Sequence, residues 1–214
     1  MVILANDSNL KIAAEYLSKN DAALAPVIAQ AGIATITPHK NYYQTLVESI
    51  VSQQLSVKAA ATIFKRFLAL FPDDVFPTPD QILTKNIEEL RGVGLSRQKG
   101  SYIQDLALKV IEGSVKFNHL DVLTNDEIIA ELTQIKGVGV WTVHMFLIFC
   151  MGRLDVLPVG DLGIKNGIQK LYGFDHSPST QDMEEIATSN SWHPYESVAS
   201  WYVWHSLDNK PAVN

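Results

Sequence analysis

The sequence predicts an all-α protein of about ten helices in two lobes with a cleft between them. Three features point that way: helix start and stop signals recur along the chain, apolar residues fall at helical spacing between those signals, and alternating apolar and polar runs of strand length are almost absent.

The elements follow in order. Asn9 to Ala25 is amphipathic, with Ile12, Tyr16 and Leu17 expected on one side, and Pro26 ends or restarts the helix. Ile33 to Thr37 has strand-like composition but no partner with which to form a sheet, so it is expected to be an extended linker. Tyr42 to Gln54 and Ser56 to Leu70 form the next helical pair. Thr78-Pro79 places a cap before a proline at a first helical position, and Asn86 is a cap followed three residues later by Glu89. Ser96 caps a helix running to Glu112, and Thr124 with Glu127 makes a capping box that opens Asp126 to Gln134. A helix starts at Leu162, Ser179 caps another, and Pro194 to Leu207 makes the last. Residues 1–37 with 172–214 are expected as one lobe, and residues 38–171 as the other.

Composition narrows the class. With 47% hydrophobic and 19% charged residues over 214 positions, the chain has a core to bury and is not intrinsically disordered. No window reaches the roughly 20 apolar residues of a membrane span, since Val143 to Met151 is flanked by Lys136 and Arg153. Met1 to Asn9 lacks the basic and apolar regions of a secretory signal, so a cytoplasmic protein with no membrane association is expected. Cys150 is the single cysteine, sits in an apolar run, and reads as a buried structural thiol that forms neither a disulfide nor an iron–sulfur cluster. The dispersed histidines show no zinc-ligand spacing.

The formal charge of -6 weighs against nucleic acid. Six of the acids, however, lie between Leu171 and Asn209, a stretch without Lys or Arg, and the remaining 17 acids match the 17 Lys and Arg. A neutral remainder permits a local cationic face, and backbone N–H groups at helix starts bind phosphate without basic side chains.

Leu132 to Thr142 joins two helical patterns through Gly137-Val138-Gly139, within a segment of about residues 126–150. Two glycines around one apolar residue allow a tight left-handed turn, with the valine plugging the space between the helices. The second helix then offers free N–H groups to a phosphate, with Lys136 beside them. Twenty residues after Trp141, the Gly/Pro-rich run Gly152 to Gly160 leads into Asp161 and a helix.

On these residues the chain resembles the helix-hairpin-helix DNA glycosylases that carry a Gly/Pro-rich loop and a catalytic aspartate. The likeness is to the alkylpurine branch, the 3-methyladenine DNA glycosylase II type. The matching segments are Ile50 to Ala60, Gly94 to Lys99, Leu132 to Met145 and Asp155 to Lys165.

The resemblance implies that Asp161 is the essential carboxylate, stabilising a deoxyribose that turns cationic as its base leaves, or orienting the attacking water. It implies a monofunctional enzyme, because Trp141 stands where bifunctional members carry a Schiff-base lysine. Trp141 and Met145, four apart on one helix face, would line the base pocket with Trp204 and Tyr43, where aromatic rings suit a cationic methylated purine. His205 stands where a relative has tyrosine. Gln54 aligns with the wedge that fills the hole left by the extruded base, with Leu55 as its neighbour. Gly94, Ser96, Lys136, Gly137, Val138 and Gly139 would hold the DNA backbone. Backbone carbonyls of Thr133, Ile135 and Val138 would hold a monovalent cation, Na or K, with no other cofactor.

Two departures stand out: Lys136 replaces a proline common before the hairpin glycines, and Gly160 replaces a second aspartate. The implied partner is double-stranded DNA containing damaged bases, such as 3-methyladenine or 7-methylguanine, acted on by a monomer in base excision repair. Deaminated or etheno bases remain open as substrates, as does a lesion-binding module without catalysis.

Overall fold

The computed structural model describes residues 2–72 and 75–207, and among them twelve α-helices and no sheet are found; the only bridge pairing is the isolated contact of Leu4 with Arg153. By contact density the chain divides into a terminal unit, residues 1–40 with 144–214, and a central unit, residues 41–143.

The terminal unit opens with α1 (Asp7–Asn20), capped by Asn6, whose side chain accepts from the Asn9 N–H. Its buried face is Leu10, Ala13, Ala14 and Leu17, whereas Ile12, expected on that face, is exposed. At position 12 the helical phase set by Leu10, Ala13 and Leu17 points outward. Asp21 ends α1, and its Oδ1 accepts the Ala23 and Leu24 N–H groups at 2.9 and 3.0 Å, turning the chain into α2 (Ala25–Ala31). The proline therefore restarts a helix rather than only ending one. Oδ2 of the fully buried Asp21 accepts from Trp192 Nε1 at 2.7 Å and Tyr172 Oη at 2.5 Å. Residues 34–39 carry no helix or strand, as expected of a linker.

The central unit holds α3 (Tyr42–Ser52), α4 (Val57–Leu68), α5 (Pro79–Leu83), α6 (Ile87–Gly92), α7 (Arg97–Ile111) and α8 (Asn125–Leu132), and the start of α9 (Val140–Met145). Capping boxes at Thr78, Asn86 and Thr124 set three of these starts, and Ser96 caps α7 by accepting from the Lys99 N–H. Leu46, Ile50, Phe67, Ile82, Leu90, Ile103, Leu106, Ile128 and Leu132 are among its fully buried apolar side chains.

The helix after the hairpin does not run unbroken to Cys150. From Phe146 to Cys150 it widens into a π-helical turn, with the Met151 N–H bonding to the Phe146 carbonyl. Then follow α10 (Leu162–Tyr172), α11 (Thr180–Ser189) and α12 (Glu196–His205), all in the terminal unit.

Residues 144–171 therefore belong with the chain ends, not with the central helices where the sequence puts them. The reason is hydrogen bonding: Ser197 Oγ on α12 donates to the Arg153 carbonyl at 2.7 Å and accepts the Val156 N–H at 3.1 Å, while the Ala5 N–H bonds to Gly152 and the Leu154 N–H to Ile3.

Candidate active site

Asp161 ends the Gly/Pro-rich loop and is the N-cap of α10. Its Oδ1 accepts two hydrogen bonds, from the Ile164 N–H and from Trp204 Nε1, both at 2.8 Å. The first is the ordinary capping bond of a helix start, and it places the carboxylate at the positive end of the α10 dipole. The second reaches from α12 and holds the carboxylate in one orientation. Trp204 is itself fixed, buried at 8% exposure, with Phe149 of the π-helical turn at 5.7 Å between ring centroids.

Two glycines of α10 make room for this pairing. A Cβ on Gly163 would lie 2.9 Å from Trp204 Cδ1 and 3.0 Å from Asp161 Oδ1, and one on Gly167 would lie 2.4 Å from Val203 Cγ1 and 2.9 Å from the Val203 carbonyl oxygen. They are four residues apart, on one face of the helix. Their spacing is visible in the sequence, but the partner helix that demands it is not.

In the hairpin, the Val138 N–H bonds to the Ile135 carbonyl at 3.1 Å, and Val138 and Ile135 are buried, so the valine does plug the turn. Only Gly137 is left-handed, at φ 80°. A Cβ there would sit 2.0 Å from Tyr102 Cδ2, so a close ring as well as the backbone angle demands glycine. Gly139 has ordinary backbone angles and nothing within 4 Å of where a Cβ would stand, which leaves its face open to an approaching group. Lys136 is 3.3 Å from the Asp105 carboxylate, which also accepts the Lys136 N–H at 2.9 Å, so its charge is partly offset. Among the described residues the carbonyls of Thr133 and Val138 accept no hydrogen bond and that of Ile135 accepts one, which suits an oxygen-coordinated cation.

The loop after α3 is tied to the hairpin. Gln53 Nε2 donates to the Gly137 carbonyl at 2.8 Å, and Lys99 Nζ donates to the carbonyls of Val51 and Gln53 at 2.7 and 2.6 Å. Burial lowers the Lys99 pKa from its ordinary value. Lys99 lies in a segment quoted for the family likeness, yet its part in closing α3 had no sequence signal. Gln54 is exposed, with a left-handed φ of 58° that is strained for a side-chain-bearing residue, and Leu55 beside it is exposed at 38%. Gly94, also left-handed, packs where a Cβ would meet Ile63 at 3.1 Å, and Ser96 follows as the α7 cap.

Trp141 is exposed at 47% near the start of α9, and Met145 is half-buried at its end. His144, next to Met145, has a buried Nδ1 with no partner among the described residues, and burial lowers its pKa. Tyr43 packs its ring against Phe76 and Phe117, at 5.7 and 6.0 Å between centroids. Its hydroxyl is buried without a partner among the described residues, and burial, then the Asp80 charge, raises its pKa. Trp201 and Tyr202 are buried, and Trp201 stacks on His205 at 5.0 Å.

An all-α chain with a glycine hairpin, and with an aspartate at the head of a later helix bound to an indole N–H, has the marks of the helix-hairpin-helix repair proteins. The chain belongs to the HhH-GPD superfamily of base excision DNA repair proteins, which it matches over residues 47–192. It is 32% identical to the alkylbase DNA glycosidase-like protein mag2 of Schizosaccharomyces pombe, over 94% of this chain and 95% of that protein. Among solved structures it is similar to the 3-methyladenine DNA glycosylase Mag1 of the same yeast in complex with abasic DNA, with TM-score 0.78 and 34% identity over 90% of this chain and 94% of that one. It is similar as well to a DNA-3-methyladenine glycosidase from Bacillus halodurans, with TM-score 0.81 and 36% identity over 91% and 88% of the two chains.

Proposed function

We propose that the protein is a monofunctional DNA glycosylase that extrudes alkylated purines of the 3-methyladenine and 7-methylguanine type from duplex DNA and hydrolyses their glycosidic bond. The observation that carries this reading is the double hydrogen bond on Asp161 Oδ1, which orients a carboxylate at a helix start in a chain of this family. The names of its relatives support the alkylated substrate.

In this reading the C1′–N bond breaks with its electron pair going to the base. A cationic N-alkylpurine then leaves neutral and needs no strong acid to release it. The sugar turns cationic, and Asp161 stabilises it by charge. Water adds at C1′, and its proton passes to the carboxylate. Trp141, Met145, Trp204 and Tyr43 are assigned to the base, and Gln54 with Leu55 to the wedge. The backbone N–H groups of Gly137, Gly139 and Ser96 are assigned to phosphates, with Val138 and Gly94, whose own N–H groups close the turns onto Ile135 and Arg91, shaping the backbone that presents them, and with Lys136 adding a charge that Asp105 moderates. Thr133, Ile135 and Val138 would hold a monovalent cation by their carbonyls, neutralising phosphate charge at the hairpin. No lysine stands at position 141, so the product is an intact abasic site. The protein acts as a monomer, DNA-associated in the cytoplasm, with no iron–sulfur cluster; among the described residues no helix is long and apolar enough to cross a membrane.

The test is incubation with alkylated duplex DNA. Wild type releases free methylpurine without breaking the strand, and Asp161→Asn abolishes release while keeping affinity for DNA and, because Asn also caps helices well, the fold. Binding without release across a panel of alkylated, deaminated and etheno lesions would reduce the protein to a lesion-binding module. A strand break without added alkali would refute the monofunctional assignment.

A further inference from the structure

Helix α4 carries a second feature with the chemistry of phosphate recognition. Lys58, Thr62, Lys65 and Arg66 are all exposed, and Lys58, Thr62 and Arg66 follow the four-residue step of one helix face, while Ala60 and Phe67 are buried on the other. None of the three cations meets a carboxylate among the described residues. Elsewhere in the central unit, Lys85, Arg91, Arg97, Lys109 and Lys136 are each paired with Glu88, Glu89 or Asp105. The sequence from Ser49 to Pro72 contains no acid; the nearest are Glu48 and Asp73. In a chain with a formal charge of -6, this is a local reversal of sign.

The face also has a shape. Ser56, Lys58, Ala59, Thr62, Ile63 and Arg66 line a shallow, open groove. One side chain of that lining, Ile63, is where Gly94 packs, and the groove begins at Ser56, directly after Leu55. It is therefore continuous with two segments assigned above to DNA, the wedge loop and the Gly94–Ser96 turn.

We infer that the α4 face binds the DNA backbone beside the extruded nucleotide, with Lys58 and Arg66 each neutralising a phosphate. From Lys58 to Arg66 the helix rises about 12 Å, the axial length of roughly three to four phosphates of one strand. The inference rests on the proposed action on duplex DNA and adds to it a cationic track that the hairpin does not supply.

The test is the salt dependence of binding, on the full chain, to a duplex carrying an abasic-site analogue. Lys58→Gln with Arg66→Gln lowers the slope of log affinity against log salt by about 1.8, and weakens affinity about 30-fold at 0.15 M salt, since two phosphate contacts are lost. Both side chains are exposed, so the melting temperature stays at the wild-type value, and base release at saturating enzyme stays at the wild-type rate. A matched pair on α1, Lys11→Gln with Lys19→Gln, leaves the slope unchanged. If the wild type neither binds with a steep salt slope nor releases base, the glycosylase reading itself fails. If it does both and the α4 variant keeps the wild-type slope, or if the α1 pair lowers the slope equally, the α4 site is overturned while the enzyme stands.

Discussion

A phenyl ring in place of the Trp204 indole would keep an aromatic side chain beside Asp161 but remove the N–H donor together with part of the ring that carries it. Hydrogen bonds to charged groups are worth about 1.5–3 kcal/mol, and each 1.4 kcal/mol is roughly tenfold in rate. Trp204→Phe is therefore expected to slow single-turnover base release by about 10- to 100-fold with unchanged affinity for abasic DNA. An unchanged rate would show that the indole only packs. The sequence put Asp161 at a helix start, because a Gly/Pro-rich run leading into a helix is a local signal, and there it stands as the α10 cap. It did not foretell the indole donor, since Asp161 and Trp204 are distant in sequence and meet only because α10 and α12 pack together. For Ile12 the miss was one of phase: an apolar residue beside a buried face was counted into it, although the helix turns it outward.

At the scale of an element, the hairpin turn rests on Gly137 twice over, through its left-handed angle and through the ring of Tyr102. Gly137→Ala is expected to destabilise the protein by about 2–4 kcal/mol, combining roughly 1–2 for the backbone with 1–2 for overpacking. Adding Tyr102→Ala should recover only the overpacking share, as read from denaturant midpoints; full recovery would remove the backbone argument. The capping boxes at Thr78, Asn86 and Thr124 were readable because each is closed within four residues of sequence. The π-helical turn at Phe146–Cys150 was not readable, because a uniformly apolar run has no period that separates one helix type from another.

For the whole molecule, the most demanding polar cluster is buried Asp21, which joins the α1–α2 turn to Tyr172 at the end of α10 and to Trp192 ahead of α12. Asp21→Ala strips the acceptor from the Tyr172 and Trp192 donors and from the Ala23 and Leu24 N–H groups of the α1–α2 turn. It should cost roughly 3 kcal/mol or more and lower Tm by about 10 °C in a chain of this size. A Tm within a degree or two of wild type would show that the cluster is dispensable. The all-helical class was legible from punctuation and periodicity, whereas the division into units was not. Residues 144–171 follow the chain termini because of bonds from Ser197, Ala5 and Ile3, contacts that span up to about 150 positions and leave no local trace.

The bare strip of α10 formed by Gly163 and Gly167 acts as a gauge block between two rods. Its thickness is that of a peptide backbone alone, and the reach of the indole N–H toward its acid is machined to that gap. Adding a single methyl to the strip would misalign the chemistry without altering any group that performs it, so an inactive variant found there would be a lesson in clearance rather than in reactivity.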